Sequence, residues 1–345
     1  MTPRTWYRRR VRRTPLWAAA ALAVGLVAAA CGSAQPVDAP YQASSPMSSD
    51  FFAAPGGIWT TPIAPDAAVR KDSGVFVSRL AGMAPVISLR RFSVPIFVAD
   101  PGTKRYSIAP TAPYAPAGTR LDDVPVPANA AADPAEDGHL AVLDRDNRCI
   151  YEFFRAKPQG DGWTADWVNA TPSDGTGIYP DGLGTRAAGF SIAAGLIWPD
   201  ELRRGEIDHA LVFAYPFTKK GGYVAPATRS DGLTTQAGAL PIGSRLRLDP
   251  TIDLDKLTLT PQERTVARAL QTYGMFLGDT SGGLTLYGVQ PLSFAADPYQ
   301  SFWNDGPWAD IKAIPFDRLQ VLDSGAEQPP YTGPPIGNRC TGHQG

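Results

Sequence analysis

Ile207-Asp208-His209-Ala210-Leu211-Val212-Phe213-Ala214-Tyr215 is a strand-like run, and the reading of the fold starts from it. A loop carrying Arg229, Asp231 and Gly232 follows, then a second strand candidate at Arg245-Leu246-Arg247-Leu248. A helix from Pro261 to about Tyr273 closes the unit. Thr260 is placed to cap that helix, with Pro261 at its first position and Glu263 at its third. That is a capping box with a favoured proline. Val266, Ala269, Leu270 and Tyr273 fall on one face and predict a buried stripe, and Gly274 ends the helix. Met275-Phe276-Leu277 and Leu284-Thr285-Leu286-Tyr287 predict a closing hairpin around Asp279-Thr280-Ser281-Gly282-Gly283.

Upstream, His139-Leu140-Ala141-Val142-Leu143, Cys149 to Arg155 and Trp163 to Val168 are three strands separated by polar turns, as in a meander. Asn169 to Gly189 is a long loop with five glycines, of the kind that lines sites. Ser73 to Leu80 predicts a short helix, and Asp200-Glu201-Leu202 another that Gly205 stops. Val94 to Ala99 is a strand that Pro95 confines to a sheet edge or a strand start. Pro110 to Pro134, rich in Pro and Ala, is either a linker or an irregular segment wrapped on the core. Leu121, Val124 and Val126 favour the second.

Gly and Pro number 34 each in 345 residues, which suits short strands and many turns. No repeat of propeller length is visible. The expected fold is therefore mainly β, an antiparallel β-sandwich of jelly-roll type with the one capped helix at about 261–273. A propeller is the alternative.

The first 30 residues predict a signal peptide. Six arginines precede an apolar run from Leu16 to Ala30, about 15 residues and short for a membrane span. Ala28-Ala29-Ala30-Cys31-Gly32-Ser33 resembles a bacterial lipobox, which would make Cys31 a lipidated N-terminus. Ordinary secretion is the alternative, and both the general and the twin-arginine export routes stay open. Residues 31–50 read as a flexible tether, 51–330 as a single domain and 331–345 as a tail. The leader holds 6 of the 32 basic residues, leaving 26 against 33 acidic ones. That balance argues against a nucleic-acid partner and leaves the lipid on Cys31 as the contact with the bilayer. The expected location is the outer face of the cell membrane, and the expected state a monomer.

Beyond Cys31 the only cysteines are Cys149 and Cys340. Outside the cytoplasm they read as one disulfide closing a loop of about 190 residues, with two free thiols as the alternative.

No sharp catalytic motif is present, and three histidines offer little for a metal site. No metal and no cofactor are expected. His209 beside Asp208 is a candidate acid or base. Arg229 and Asp231 would neutralise a substrate carboxylate or supply an acid. Glu152 shares a strand face with Ile150 and Phe154, so a buried Glu152 would have the raised pKa of a general acid. His139, Asp208 and Trp163 are candidate substrate contacts. For each, a plain structural role competes: a hydrogen-bonded strand histidine, a turn at Ser230-Asp231-Gly232, core aromatics. A carbohydrate-active enzyme, a glycosidase or polysaccharide lyase acting on cell-wall or other polysaccharide, is the first expectation. A non-catalytic glycan-binding or envelope lipoprotein is the second, and a structural surface protein the third.

Asp137-Gly138-His139, Tyr151 to Phe154, Ile207 to Leu211, Pro226-Ala227-Thr228-Arg229-Ser230-Asp231-Gly232, Pro241 to Leu248 and Ala267 to Leu270 with Tyr273-Gly274-Met275 form an ordered series. That series resembles a family of secreted bacterial and fungal β-rich proteins, over roughly Trp59 to Val321. The resemblance implies one domain spanning both halves and assigns no activity and no functional residue.

Overall fold

The computed structural model describes residues 45–80 and 82–341. Cys31, the leader and His343 lie outside the described residues. Strand makes up 28% and helix 13%, so the protein is mainly β.

Eleven strands build two sheets. In chain order they are β1 (Val86–Ser88), β2 (Ile96–Ala99), β3 (Leu140–Asp144), β4 (Cys149–Phe154), β5 (Trp167–Pro172) and β6 (Leu211–Tyr215). After these come β7 (Arg245–Leu248), β8 (Met275–Thr280), β9 (Thr285–Tyr287), β10 (Trp308–Asp310) and β11 (Leu319–Val321). The larger sheet runs β10-β1-β9-β6-β8-β7-β11, the smaller β2-β3-β4-β5. Three short ribbons complete the β structure, among them Arg105–Ile108 with Leu121–Pro125 and Lys157–Gln159 with Gly162–Thr164.

An antiparallel jelly-roll sandwich was the expectation, and the sheets are mixed instead. β6 runs parallel to β8, β1 parallel to β9, and β2 parallel to β3. The hairpin expected between β8 and β9 does not form, because β6 inserts between them, parallel to one and antiparallel to the other. The cause lies in β6 itself. All five of its residues are fully buried, and a strand covered on both faces takes a central place that two-residue alternation does not mark. Of the expected meander, β3, β4 and β5 pair in sequence. Trp163 falls outside them, on the ribbon Gly162–Thr164.

Among the described residues, three helices flank the sheets. Helix α1 covers Ser73–Leu80 and α2 Pro199–Arg204, which Gly205 ends at φ 77°. Helix α3, Pro261–Thr272, has the expected cap: the Glu263 amide donates to Thr260 Oγ1 at 3.2 Å, and the Thr260 amide donates back to Glu263 Oε2 at 2.9 Å. Its Val266, Ala269 and Leu270 are buried, and Tyr273 is half-buried against the core.

The faces of the smaller sheet go to two different interiors. Ala141, Leu143 and Ile150 join the main core, which holds β6, α3 and most of the larger sheet. Leu140, Val142, Tyr151 and Phe153 face a second cluster closed by Leu121, Val124 and Val126, so 110–134 wraps the core. Cys149 and Cys340 form a disulfide against this second cluster. At the other end, Arg145 donates to the Ser45 carbonyl and to Asp50, so the chain already packs at 45–50, within the stretch expected as tether. No helix among the described residues is long and apolar enough to cross a membrane.

Candidate functional site

Where the two sheets and two loops meet there is a cleft of about 320 Å³. The 177–192 loop forms its floor and is pinned by two neighbouring segments and by one bond across itself. The Ala188 amide donates to the Gly278 carbonyl on β8 at 2.9 Å, the Thr228 amide to Ala188 O at 2.9 Å, and the Ser191 amide to Gly177 O at 2.8 Å. Gly189 makes the tightest approach. It has φ 76°, and a Cβ there would lie 2.1 Å from Thr228 Oγ1, so a side chain would push the 226–231 loop off the floor.

β8 supplies the next part. Its register against β6 slips after Phe213, leaving Gly278 as an extra residue. Such a bulge re-aims the side chain that follows it, here Asp279. Asp279 accepts from Arg186 Nη1 at 2.7 Å and from the Ala187 amide at 2.7 Å. Arg186 is 3% exposed, donates through Nη2 to Ile192 O at 3.2 Å and lies over the Tyr287 ring at 4.4 Å. Its Nε is buried with no hydrogen-bond partner. Burial raises the Asp279 carboxyl, and the Arg186 charge opposes that rise.

The opposite wall comes from the smaller sheet. His139 precedes β3, and its ring meets Phe154 edge-on at 5.5 Å. Burial, helped by the Arg186 charge, pushes His139 down to about 3, so the ring is neutral; its Nδ1 has no partner. Asp137 lies beside it. Burial, then Glu136 and Asp133, raise the Asp137 carboxyl against the pull of Arg155. Buried Asp133 holds this wall to its neighbours by accepting from the Phe92, Ser93 and Ala135 amides at 3.1, 3.1 and 2.8 Å. Tyr114 and Trp167 stack at 6.3 Å and 28° on the rim.

Of the residues singled out from sequence, Arg229, Asp231 and His139 line this cleft. Arg229 and Asp231 are exposed, and Asp231 accepts from Thr280 Oγ1 at 2.9 Å. Glu152 lies one layer behind the floor, fully buried, accepting from Ser191 Oγ and from the Ile192 amide at 3.1 Å. Burial lifts Glu152 to about 7, although these hydrogen bonds pull it down. The Thr185 and Tyr179 hydroxyls are buried beside the same carboxyl and have no other partner. Trp163 packs against the second cluster, away from the cleft.

His209 and Asp208 belong elsewhere. They line a separate crevice of about 420 Å³ with Trp59, Trp198 and Phe51. His209 Nε2 donates to Glu201 Oε1 at 2.9 Å and Nδ1 to Ala210 O at 2.9 Å. Burial works against the charged ring, but the Glu201 carboxylate outweighs it and lifts His209 to about 9. Two acceptors, one of them a carboxylate, make this an imidazolium clamp on α2.

Arg186, Asp279, Tyr287 and Tyr114 complete the cleft without having been named as site residues from sequence, whereas Asp137 enters it with the Asp137-Gly138-His139 run. The glycine-rich 169–189 loop was the one signal, and it marks where Arg186 sits. Asp279 was hidden in the expected turn. Among the described residues no cluster of three or more His, Cys, Asp or Glu is placed to hold a metal ion. Chemically, the cleft offers a neutral imidazole, a buried guanidinium, carboxylates in unequal surroundings and an aromatic rim. No family model matches this chain, and no curated protein and no solved structure matches it either.

Proposed function

We propose that the protein is an exported, lipid-anchored glycosidase that takes a carbohydrate into the cleft between its sheets. The observation that carries this reading is the pairing of unlike carboxylates with an aromatic rim. Asp137 is held toward its protonated form by burial and by Glu136 and Asp133, whereas Asp231 is exposed and accepts a hydrogen bond from Thr280. A carboxyl held toward its protonated form can act as an acid, and an exposed carboxyl in the same cleft can act as the base. Asp137 donates its proton to the glycosidic oxygen as the bond to the anomeric carbon breaks. Asp231 takes a proton from the water whose oxygen bonds to that carbon. Tyr114, exposed and stacked on buried Trp167, supplies a face on which a sugar ring stacks.

The test is release of reducing ends from a panel of plant and cell-wall polysaccharides. Asp137→Asn should lower kcat at least about 100-fold with little change in binding, as expected for loss of a general acid. Activity equal to wild type in Asp137→Asn and Asp231→Asn would remove the assignment. Glycan binding without cleavage across the panel would favour a lectin instead. That second reading draws on Asp279, which is engaged by Arg186 and the Ala187 amide and serves as a fixed acceptor.

A further inference from the structure

The geometry points to an acidic sugar: the buried Arg186 Nε, in the same cleft as the unpartnered His139 Nδ1, receives the carboxylate of a uronic-acid residue. This inference rests on the carbohydrate reading of the cleft. Arg186 spends one nitrogen on Asp279 and another on Ile192 O, while its ring-facing side rests on Tyr287. That leaves Nε as a charged donor, 3% exposed as a side chain and without an acceptor. His139 Nδ1 is likewise buried without a hydrogen-bond partner, and His139 lines the same cavity. A buried charged donor is the costliest polar group to leave unmatched, and an anionic acceptor matches it best. Arg229 adds a second cation at the rim. The carboxylates do not bar an anion. Asp279 is neutralised by Arg186, Asp137 is held toward its protonated form, and Asp231 stands at the exposed rim beside Arg229.

The experiment is calorimetric titration of the full chain with D-galacturonate, D-glucuronate, D-galactose and D-glucose, run beside the polysaccharide panel with uronate-rich and neutral members. At least one uronate should bind about tenfold or more tighter than its neutral counterpart, the value of a charge-assisted hydrogen bond. Arg186→Lys keeps the charge opposite Asp279 but removes Nε, and should abolish the preference. His139→Phe, which keeps an aromatic ring but removes Nδ1, should reduce it. Where thermal melting shows Arg186→Lys to be unfolded, His139→Phe decides. Equal affinity for uronates and neutral sugars, or a preference untouched by the folded variants, overturns the inference. Cleavage of neutral glycans with no uronate binding also overturns it and leaves the glycosidase reading standing. Uronate binding with no cleavage of any polymer supports it and sinks the glycosidase reading.

Discussion

The perturbation with the clearest arithmetic is removal of the His209 ring. Glu201 is 0% exposed and His209 14%, and their contact is 2.9 Å. Raising an imidazole from 6.5 to about 9 corresponds to about 3 kcal/mol of differential stabilisation. Leaving one member of a buried ion pair alone costs about 3–5 kcal/mol, so two routes agree. Because His209 is raised, its contribution is complete below 6.5 and is lost as pH climbs through about 9. Glu201 is also raised, by burial first and against the pull of His209, and its contribution likewise fades as pH rises. Urea unfolding followed by tryptophan fluorescence, at about pH 6 and about pH 10, gives the numbers. At pH 6, His209→Gln should lose about 3 kcal/mol, and His209→Gln with Glu201→Gln should recover at least about half of it. Wild type should lose about 3 kcal/mol more than the double variant between the two pH values. The clamp is refuted if His209→Gln stays within about 0.5 kcal/mol of wild type at pH 6, or if wild type and double variant decline in parallel.

Glu152 carries the same sign with a different remedy. Its folded pKa of about 7 lies above 4.5, so its stabilising protonation is complete at low pH and lost through about 7. Glu152→Gln should match wild type near pH 5 and exceed it by about 1–3 kcal/mol near pH 8; a loss at pH 8 in thermal melts would contradict this. Replacing Cys149 and Cys340 by serine should cost at most about 5 kcal/mol, since the two are 191 residues apart. In that variant limited proteolysis should cut the exposed stretch 324–339 first, and a tail no more sensitive than in wild type counts against the disulfide as its anchor. Gly278→Ala would set a Cβ 2.6 Å from Val212 Cγ2 and 3.4 Å from Arg186 Cδ. It should cost about 1–3 kcal/mol and loosen Asp279 from Arg186; unchanged stability together with unchanged ligand binding would show that the bulge does not aim Asp279.

Local chemistry was legible along the chain. Helix α3 was bounded by Thr260, Pro261, Glu263 and Gly274, and the structure ends it where those residues require. The Cys149–Cys340 pairing followed from counting. Strand alternation placed Glu152 on one face with Ile150 and Phe154 but left its burial open, and the structure buries both faces of that strand. The cleft was only half legible. Arg229, Asp231 and His139 are among the candidates the sequence offers, but so is His209, which the structure places in another crevice.

The sequence by itself determined that the protein is mainly β, where the capped helix begins and ends, and which cysteines pair. Each of these depends on groups within a few residues or on simple counting. Only the tertiary structure decided that β6 separates β8 from β9, that Gly278 bulges to aim Asp279 at Arg186, and that the 177–192 loop carries Arg186 under His139. Parallel pairing and loop docking join residues some 60–90 positions apart. The free energy of such contacts comes from burial, which no local pattern encodes.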